Sequence, residues 1–126
     1  KAYSLDTTRL ASLYALSMNH SDFGDVDSAY AYLDKAYALD TANARTWFLR
    51  GLVAEHDDDT VGAATFYDTA LDIDSSHPKS LYRRAGIGLS QDDLETFTRL
   101  LDRLKEDAVA NLPYIYNLEK QYDSRD

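Results

Sequence analysis

The 126-residue sequence predicts an all-α protein, a stack of antiparallel helix pairs with about three repeats and a terminal helix. Three observations predict it. The word Lys1-Ala2-Tyr3-Ser4-Leu5-Asp6-Thr7 returns as Lys35-Ala36-Tyr37-Ala38-Leu39-Asp40-Thr41, and again as Thr69-Ala70-Leu71-Asp72-Ile73-Asp74-Ser75, each time 34 residues on. The same offset aligns an apolar row (Leu13, Trp47, Leu81, Ile115) and two rows of small residues. One small row is Ser17, Gly51 and Ala85; the other is Ala29 and Ala63, broken by Phe97. Small residues in register let helix backbones approach, and large ones fill the space between. Thirdly, the chain has 44% hydrophobic residues but only two Pro and five Gly, which suits packed helices better than many tight turns. Its acid is almost all aspartate, a cap and turn residue, so the aspartates mark helix ends.

Each element follows from periodicity and breakers. Leu10, Leu13, Tyr14, Leu16 and Met18 predict a helix near 8–20. Gly24 breaks it, and Asp25 caps a second helix that Val26, Ala29, Leu33 and Ala36 carry to about 39. Asp40 to Asn43 turn the chain into a third helix near 44–56. The run Asp57-Asp58-Asp59 leads to a fourth near 60–73. Pro78 suits the first position of a fifth helix, near 78–89. Ser90-Gln91-Asp92-Asp93 resembles a capping box and starts a sixth, near 91–107. Asn111 and Pro113 start a seventh, near 112–123. The expected organisation is one repeat domain over 1–126: a half-repeat at 1–7, repeats at about 10–43, 44–77 and 78–111, and the terminal helix. Beginning inside a repeat, the chain reads as a fragment of a longer array or a processed chain. The last helix is expected to be a polar closing helix, because Glu119 stands where a small residue should be; the alternative is the first half of a fourth unit, since Ile115 and Tyr116 keep the period.

The pattern resembles the tetratricopeptide repeat (TPR) family. Trp47, Gly51, Ala63, Tyr67 and Ala70 fit the family's W…G…A…F/Y…A pattern; Ser17, Gly24-Asp25, Ala29 and Ala36 fit it in the first unit. The third unit keeps Ala85 but departs at Phe97 and Leu104, and Thr41 and Ser75 stand where the family has proline between units. The resemblance covers nearly the whole chain. It implies a right-handed superhelical stack, a TPR-like α-solenoid, whose first helices line a concave groove for peptides.

On that reading Tyr14, Phe48, Tyr82 and Tyr116, each 34 apart, form an aromatic ladder along the groove, extended by Met18 and Leu52. Aromatic rings give large contact area at modest entropy cost. The alternative is that these rings pack between helices. Charge is sorted too: Arg45, Arg50, Lys79, Arg83 and Arg84 lie on the third and fifth helices, while Asp27, Asp34, Asp68 and Asp72 lie on the second and fourth. Arg50 and Arg84 are expected to pair with aspartates of adjacent helices. Arg45, Lys79 and Arg83 remain for the groove, favouring an acidic peptide or a free C-terminal carboxylate. Family members that dock heat-shock chaperones clamp a carboxylate with two Lys, two Asn and an Arg. Lys79 and Arg83 match two of these, but Tyr14, Met18 and Leu49 occupy the other three, so the clamp is incomplete.

The net charge of −9 argues against nucleic acid or an anionic membrane as main partner, and no apolar run is long enough to span a bilayer. With no cysteine there is no disulfide framework or thiolate zinc site. His56-Asp57-Asp58-Asp59 reads as a capping turn rather than a metal cluster, and Asp22 to Asp27 lacks the Gly and Glu of a calcium loop. His20, His56 and His77 lie at separate turns, and no nucleotide-binding motif is present. Neither enzyme activity nor a cofactor is expected. The expected function is a protein–protein adaptor binding a partner's peptide segment. The alternatives are a structural segment that stacks or self-associates through the open half-repeat (Ala2, Tyr3, Leu5), and a small secretion chaperone.

Overall fold

A computed structural model describes residues 7–125, so the half-repeat with Ala2, Tyr3 and Leu5 lies outside the described residues. Among the described residues there are seven helices and no strand. They are α1 (Thr7–Asp22), α2 (Val26–Leu39), α3 (Ala44–His56), α4 (Thr60–Ile73), α5 (Pro78–Ser90), α6 (Leu94–Lys105) and α7 (Ala108–Ser124). Two compact units divide them, the first ending at Ile73 and the second beginning at Asp74.

In the first unit α1 pairs with α2 and α3 with α4, and α3 also packs on both α1 and α2. Small residues set how closely the pairs approach. Ser17 on α1 is fully buried and donates from Oγ to the Ala29 carbonyl of α2 at 2.9 Å. One period later a Cβ on Gly51 would lie 2.2 Å from Cε1 of Tyr67 on α4, so only glycine fits there. Ala29, Leu33, Ala36, Ala63, Tyr67 and Ala70 are wholly enclosed and form the core of this unit.

The second unit holds α5, α6 and α7, with Leu81, Ala85, Phe97, Leu100, Leu104, Ile115 and Leu118 buried. Phe97, which breaks the small-residue row, spends its ring in a stack on Tyr122 of α7, with centroids 5.7 Å apart.

The turns inside the pairs repeat as faithfully as the helices. Gly24, Asp58 and Asp92 all have positive φ (80°, 58° and 60°) and stand 34 residues apart. The next residue caps the following helix each time. Asp25 accepts from the Ser28 amide, Asp59 from Gly62 and Asp93 from Thr96. The carboxylate oxygens thus satisfy amides that a helix start leaves unpaired. Asn43 caps α3, His77 caps α5 through Nδ1, and Pro78 stands at the start of α5.

Two boundaries differ from expectation. Ser90 closes α5 instead of capping α6, because Asp92 takes the positive-φ turn and leaves Asp93 as the cap; α6 spans Leu94–Lys105, not 91–107. Likewise α7 begins at Ala108 rather than near 112, and Pro113 sits inside it. Asn111 does not start α7: it is buried and donates from Nδ2 to the Leu104 carbonyl at 3.0 Å, tying α7 to the end of α6. The carbonyl that the proline leaves without its helical partner belongs to Val109, a residue on the exposed side of the helix.

Candidate functional site: the faces of α1, α3, α5 and α7

In the first unit Tyr14 and Phe48 face inward. Tyr14 is 5% exposed and Phe48 6%, so neither ring offers an open face. Tyr14 shares a hydrogen bond with Thr46 Oγ1 at 2.8 Å. Burial raises its pKa; the Thr46 hydrogen bond and the Arg45 charge work the other way. Phe48 packs against Tyr67 at 5.8 Å between centroids. What reaches solvent here is Arg45, exposed, with its guanidinium 5.0 Å above the Tyr14 ring. Such cation–π contacts hold the charge in place at modest cost. Met18 lies one turn beyond Tyr14 on α1, and Leu52 two turns beyond Arg45 on α3; both are half-buried. Residues at these spacings share a helix face. The first unit therefore presents a fixed cation beside a partly covered apolar strip.

In the second unit Lys79, Tyr82 and Arg83 share a face of α5, with Lys79 and Arg83 exposed and Tyr82 half-buried. The Tyr82 hydroxyl donates to Asn117 Oδ1 at 2.7 Å. Its ring neighbour on α7 is Tyr114, at 5.1 Å, not Tyr116. Tyr116 is 64% exposed. Together with Leu112 and Val109 it gives α7 three exposed apolar side chains. Glu119 is exposed and pairs with Lys105 of α6 at 3.1 Å.

Arg50 is the pairing residue the charge pattern suggested: its Nη2 lies 2.5 Å from Asp34 Oδ1 on α2, and its guanidinium caps Trp47 at 4.9 Å. Arg84 lies near enough to Asp93 to help hold that carboxyl below its ordinary pKa, behind the hydrogen bonds from Thr96.

Sequence reasoning missed two clusters. One joins Tyr30, Phe66, Trp47 and Tyr37 across α2, α3 and α4, in successive ring contacts of 5.8–6.1 Å. Burial, followed by Asp59 and Asp57, raises the Tyr30 pKa. Its signal was the excess of aromatic residues on the second helices, which the ladder reading left unused. The other is a cleft of about 480 Å³ between α6 and α7, lined by Leu94, Phe97, Leu101 and Tyr122 with Glu119 and Asp123 beside them. It arises where Phe97 replaces the small residue of the repeat.

One catalytic-looking contact does not have catalytic geometry. Ser21 Oγ and Asp22 Oδ1 both approach Nδ1 of His56, at 2.8 and 3.9 Å. A triad needs the acid on one imidazole nitrogen and the nucleophile on the other. Asp59, in the acidic turn, is a helix cap as the sequence indicated.

No protein-family model matches the chain, and no curated protein matches it in sequence. Solved structures match it in fold. The Yersinia enterocolitica type III secretion translocator chaperone SycD has a TM-score of 0.77 at 15% identity, over 99% of this chain and 100% of that one. PcrH, solved in complex with the chaperone binding region of PopB, has a TM-score of 0.74 at 22% identity, over 95% and 98%. The first TPR of Spaghetti (RPAP3), bound to the HSP90 peptide SRMEEVD, also scores 0.74, at 17% identity over 94% and 99%. With helix pairs on a 34-residue period and likeness over nearly the whole chain, the protein has the TPR-like all-α fold.

Proposed function

We propose that this protein is a non-enzymatic adaptor that binds a peptide segment of a partner protein on the exposed face of α1 and α3 in the first unit. The observation that carries the reading is Arg45, an exposed cation fixed over Tyr14 beside the half-buried Met18 and Leu52. A held charge beside partly covered apolar surface recognises a peptide carrying an acidic group next to an apolar side chain. Lys79 and Arg83 give α5 a second exposed pair of cations. Structures of like fold hold peptides: PcrH with a region of PopB, SycD with a peptide of the translocator YopD, and the Spaghetti TPR with an HSP90 peptide. Acidic segments and free C-terminal carboxylates are the preferred ligands. The five-residue carboxylate clamp is not the means, because Tyr14, Met18 and Leu49 stand at three of its positions. Of the four ladder rings, Tyr82 and Tyr116 have surface to offer, while Tyr14 and Phe48 support the face from below.

The test is capture from a cell extract by the protein and by an Arg45→Glu variant, followed by titration of the captured segment as a synthetic peptide. Arg45 is exposed, so the fold survives the change. Loss of capture by the folded variant, with parent affinity that falls as salt rises, supports the reading. Equal capture by both proteins overturns it. A second reading, a chaperone shielding an apolar segment, is favoured by Met18 and Leu52. It predicts capture insensitive to salt and lost in Met18→Glu/Leu52→Glu.

A further inference from the structure

The exposed side of α7 and one exposed side of α1 match, by repeat position, the two halves of a contact that each unit makes internally. Inside each unit, the tyrosine row on one first helix is covered by the next first helix, in constant register. Tyr14 of α1 meets Thr46 of α3, thirty-two residues on, with Arg45 over its ring. Tyr82 of α5 meets Tyr114 of α7, again thirty-two residues on, and Asn117, thirty-five on. Tyr116 is the row's last member, 64% exposed, with Leu112 (60%) and Val109 beside it at i−4 and i−7. These three residues make one apolar stripe along α7.

Carrying the 34-residue frame past α7 gives the residues that would cover Tyr116. The positions thirty-one, thirty-two and thirty-five residues on correspond to Ala11, Ser12 and Ala15 of α1. All three are exposed. Ser12 is the row equivalent of Thr46, the hydroxyl that bonds Tyr14, and the two alanines leave room for a ring. One face thus carries projecting rings and the other small side chains with a hydroxyl at the matching position, the complementarity that lets helices approach closely. We propose that α7 of one copy docks on α1 of a second copy, head to tail, burying Val109, Leu112 and Tyr116 against Ala11, Ser12 and Ala15. The interface is heterologous, joining two different faces, so association builds rings or open chains. Each copy carries a net charge of −9, so long-range repulsion opposes association and added salt strengthens it.

The test is sedimentation velocity of the full chain across a wide concentration range, at low and high salt. The expected result is a mass that climbs above 14.2 kDa without stopping at two copies, and climbs further in high salt. Tyr116→Asp removes one face and Ala15→Glu the other. Each variant alone should associate about tenfold more weakly or worse. Mixed one to one they should form a pair and nothing larger, because each retains one sound face. Circular dichroism checks that both are folded, and Leu112→Asp with Ala11→Glu provides a second pair if either is not. A protein monomeric at every concentration overturns the proposal. So does association that survives both substitutions, or a dimer sensitive to Tyr116→Asp but not to Ala15→Glu.

Discussion

Replacing Gly51 with alanine tests the packing of the first unit through the sign of its effect. In an exposed helix interior, Gly→Ala stabilises by about 0.5–1 kcal/mol, because alanine loses less backbone entropy. At Gly51 the new Cβ would stand 2.2, 2.5 and 2.7 Å from three carbons of the Tyr67 ring, where ordinary contact begins near 3.4 Å. The ring must retreat by about 1 Å, and it has no free direction. It is fully enclosed, rests on Phe48 and is tied through its hydroxyl to Glu55. Overpacking of this kind costs about 1–3 kcal/mol and outweighs the propensity gain. We therefore expect Gly51→Ala to lower the urea midpoint by about 0.5–1 M. Gly86, inside α5, is the control: a Cβ there meets nothing within 4 Å, so Gly86→Ala should raise the midpoint. Helix circular dichroism reads both. In a Tyr67→Ala background the Gly51→Ala penalty should vanish, as a double-mutant cycle requires. A Gly51→Ala protein at least as stable as the parent, or a penalty unchanged without the ring, would refute the argument.

Further outcomes follow from the turns and the buried tyrosines. Asp58→Gly should stabilise by about 0.5–1 kcal/mol in urea unfolding, since glycine takes its positive φ without side-chain strain. Hydrogen bonds from Ser28 and Thr96 hold Asp25 and Asp93 below 3.8. Depressed carboxylates stabilise the fold above the unfolded pKa, and that share is lost as pH falls through their folded values. Acid titration followed by circular dichroism should show this loss below about pH 4, and it should shrink in Asp25→Asn/Asp93→Asn. Tyr14 and Tyr30 are raised by burial, so the opposite holds: their contribution is intact below pH 10 and is lost as pH climbs through the raised values. Alkaline unfolding should shift to higher pH in Tyr30→Phe. Thr46→Val leaves the buried Tyr14 hydroxyl without its partner and should cost about 1–3 kcal/mol by urea unfolding.

Periodicity made α2, α3 and α4 legible to the residue, because their ends carry Asp, Asn and Gly at positions the repeat fixes. It failed where local chemistry departs from the repeat. Ser90-Gln91-Asp92-Asp93 looks like a capping box, yet Asp92 behaves as Gly24 does, which only its backbone conformation reveals. Asn111 and Pro113 read as helix starters, while Asn111 serves the end of α6 and Pro113 sits inside α7. At the candidate site, spacing identified the row Tyr14, Phe48, Tyr82 and Tyr116, but a row is a direction on a helix, not a degree of exposure. Whether a ring is covered depends on the next helix. Tyr14 has α3 over it, and Tyr116 has no covering helix among the described residues. Arg45 and Arg50 looked alike as charges; Asp34 engages Arg50 and leaves Arg45 to the Tyr14 ring.

Pro113 also gives α7 two clocks. A proline has no N–H to offer the Val109 carbonyl, so the backbone ladder is interrupted between the segment 108–112 and the longer run that follows. The shorter segment is held to α6 through the Asn111 side chain, and Leu112 and Val109 face water. In hydrogen exchange its amides should open and reclose on their own, trading deuterium well before those of Ile115 and Leu118 in the buried part of the same helix. Anything that settles on Leu112 and Tyr116 must still the faster segment, so slowed labelling there would report occupancy of the α7 face without a tag or a mutation.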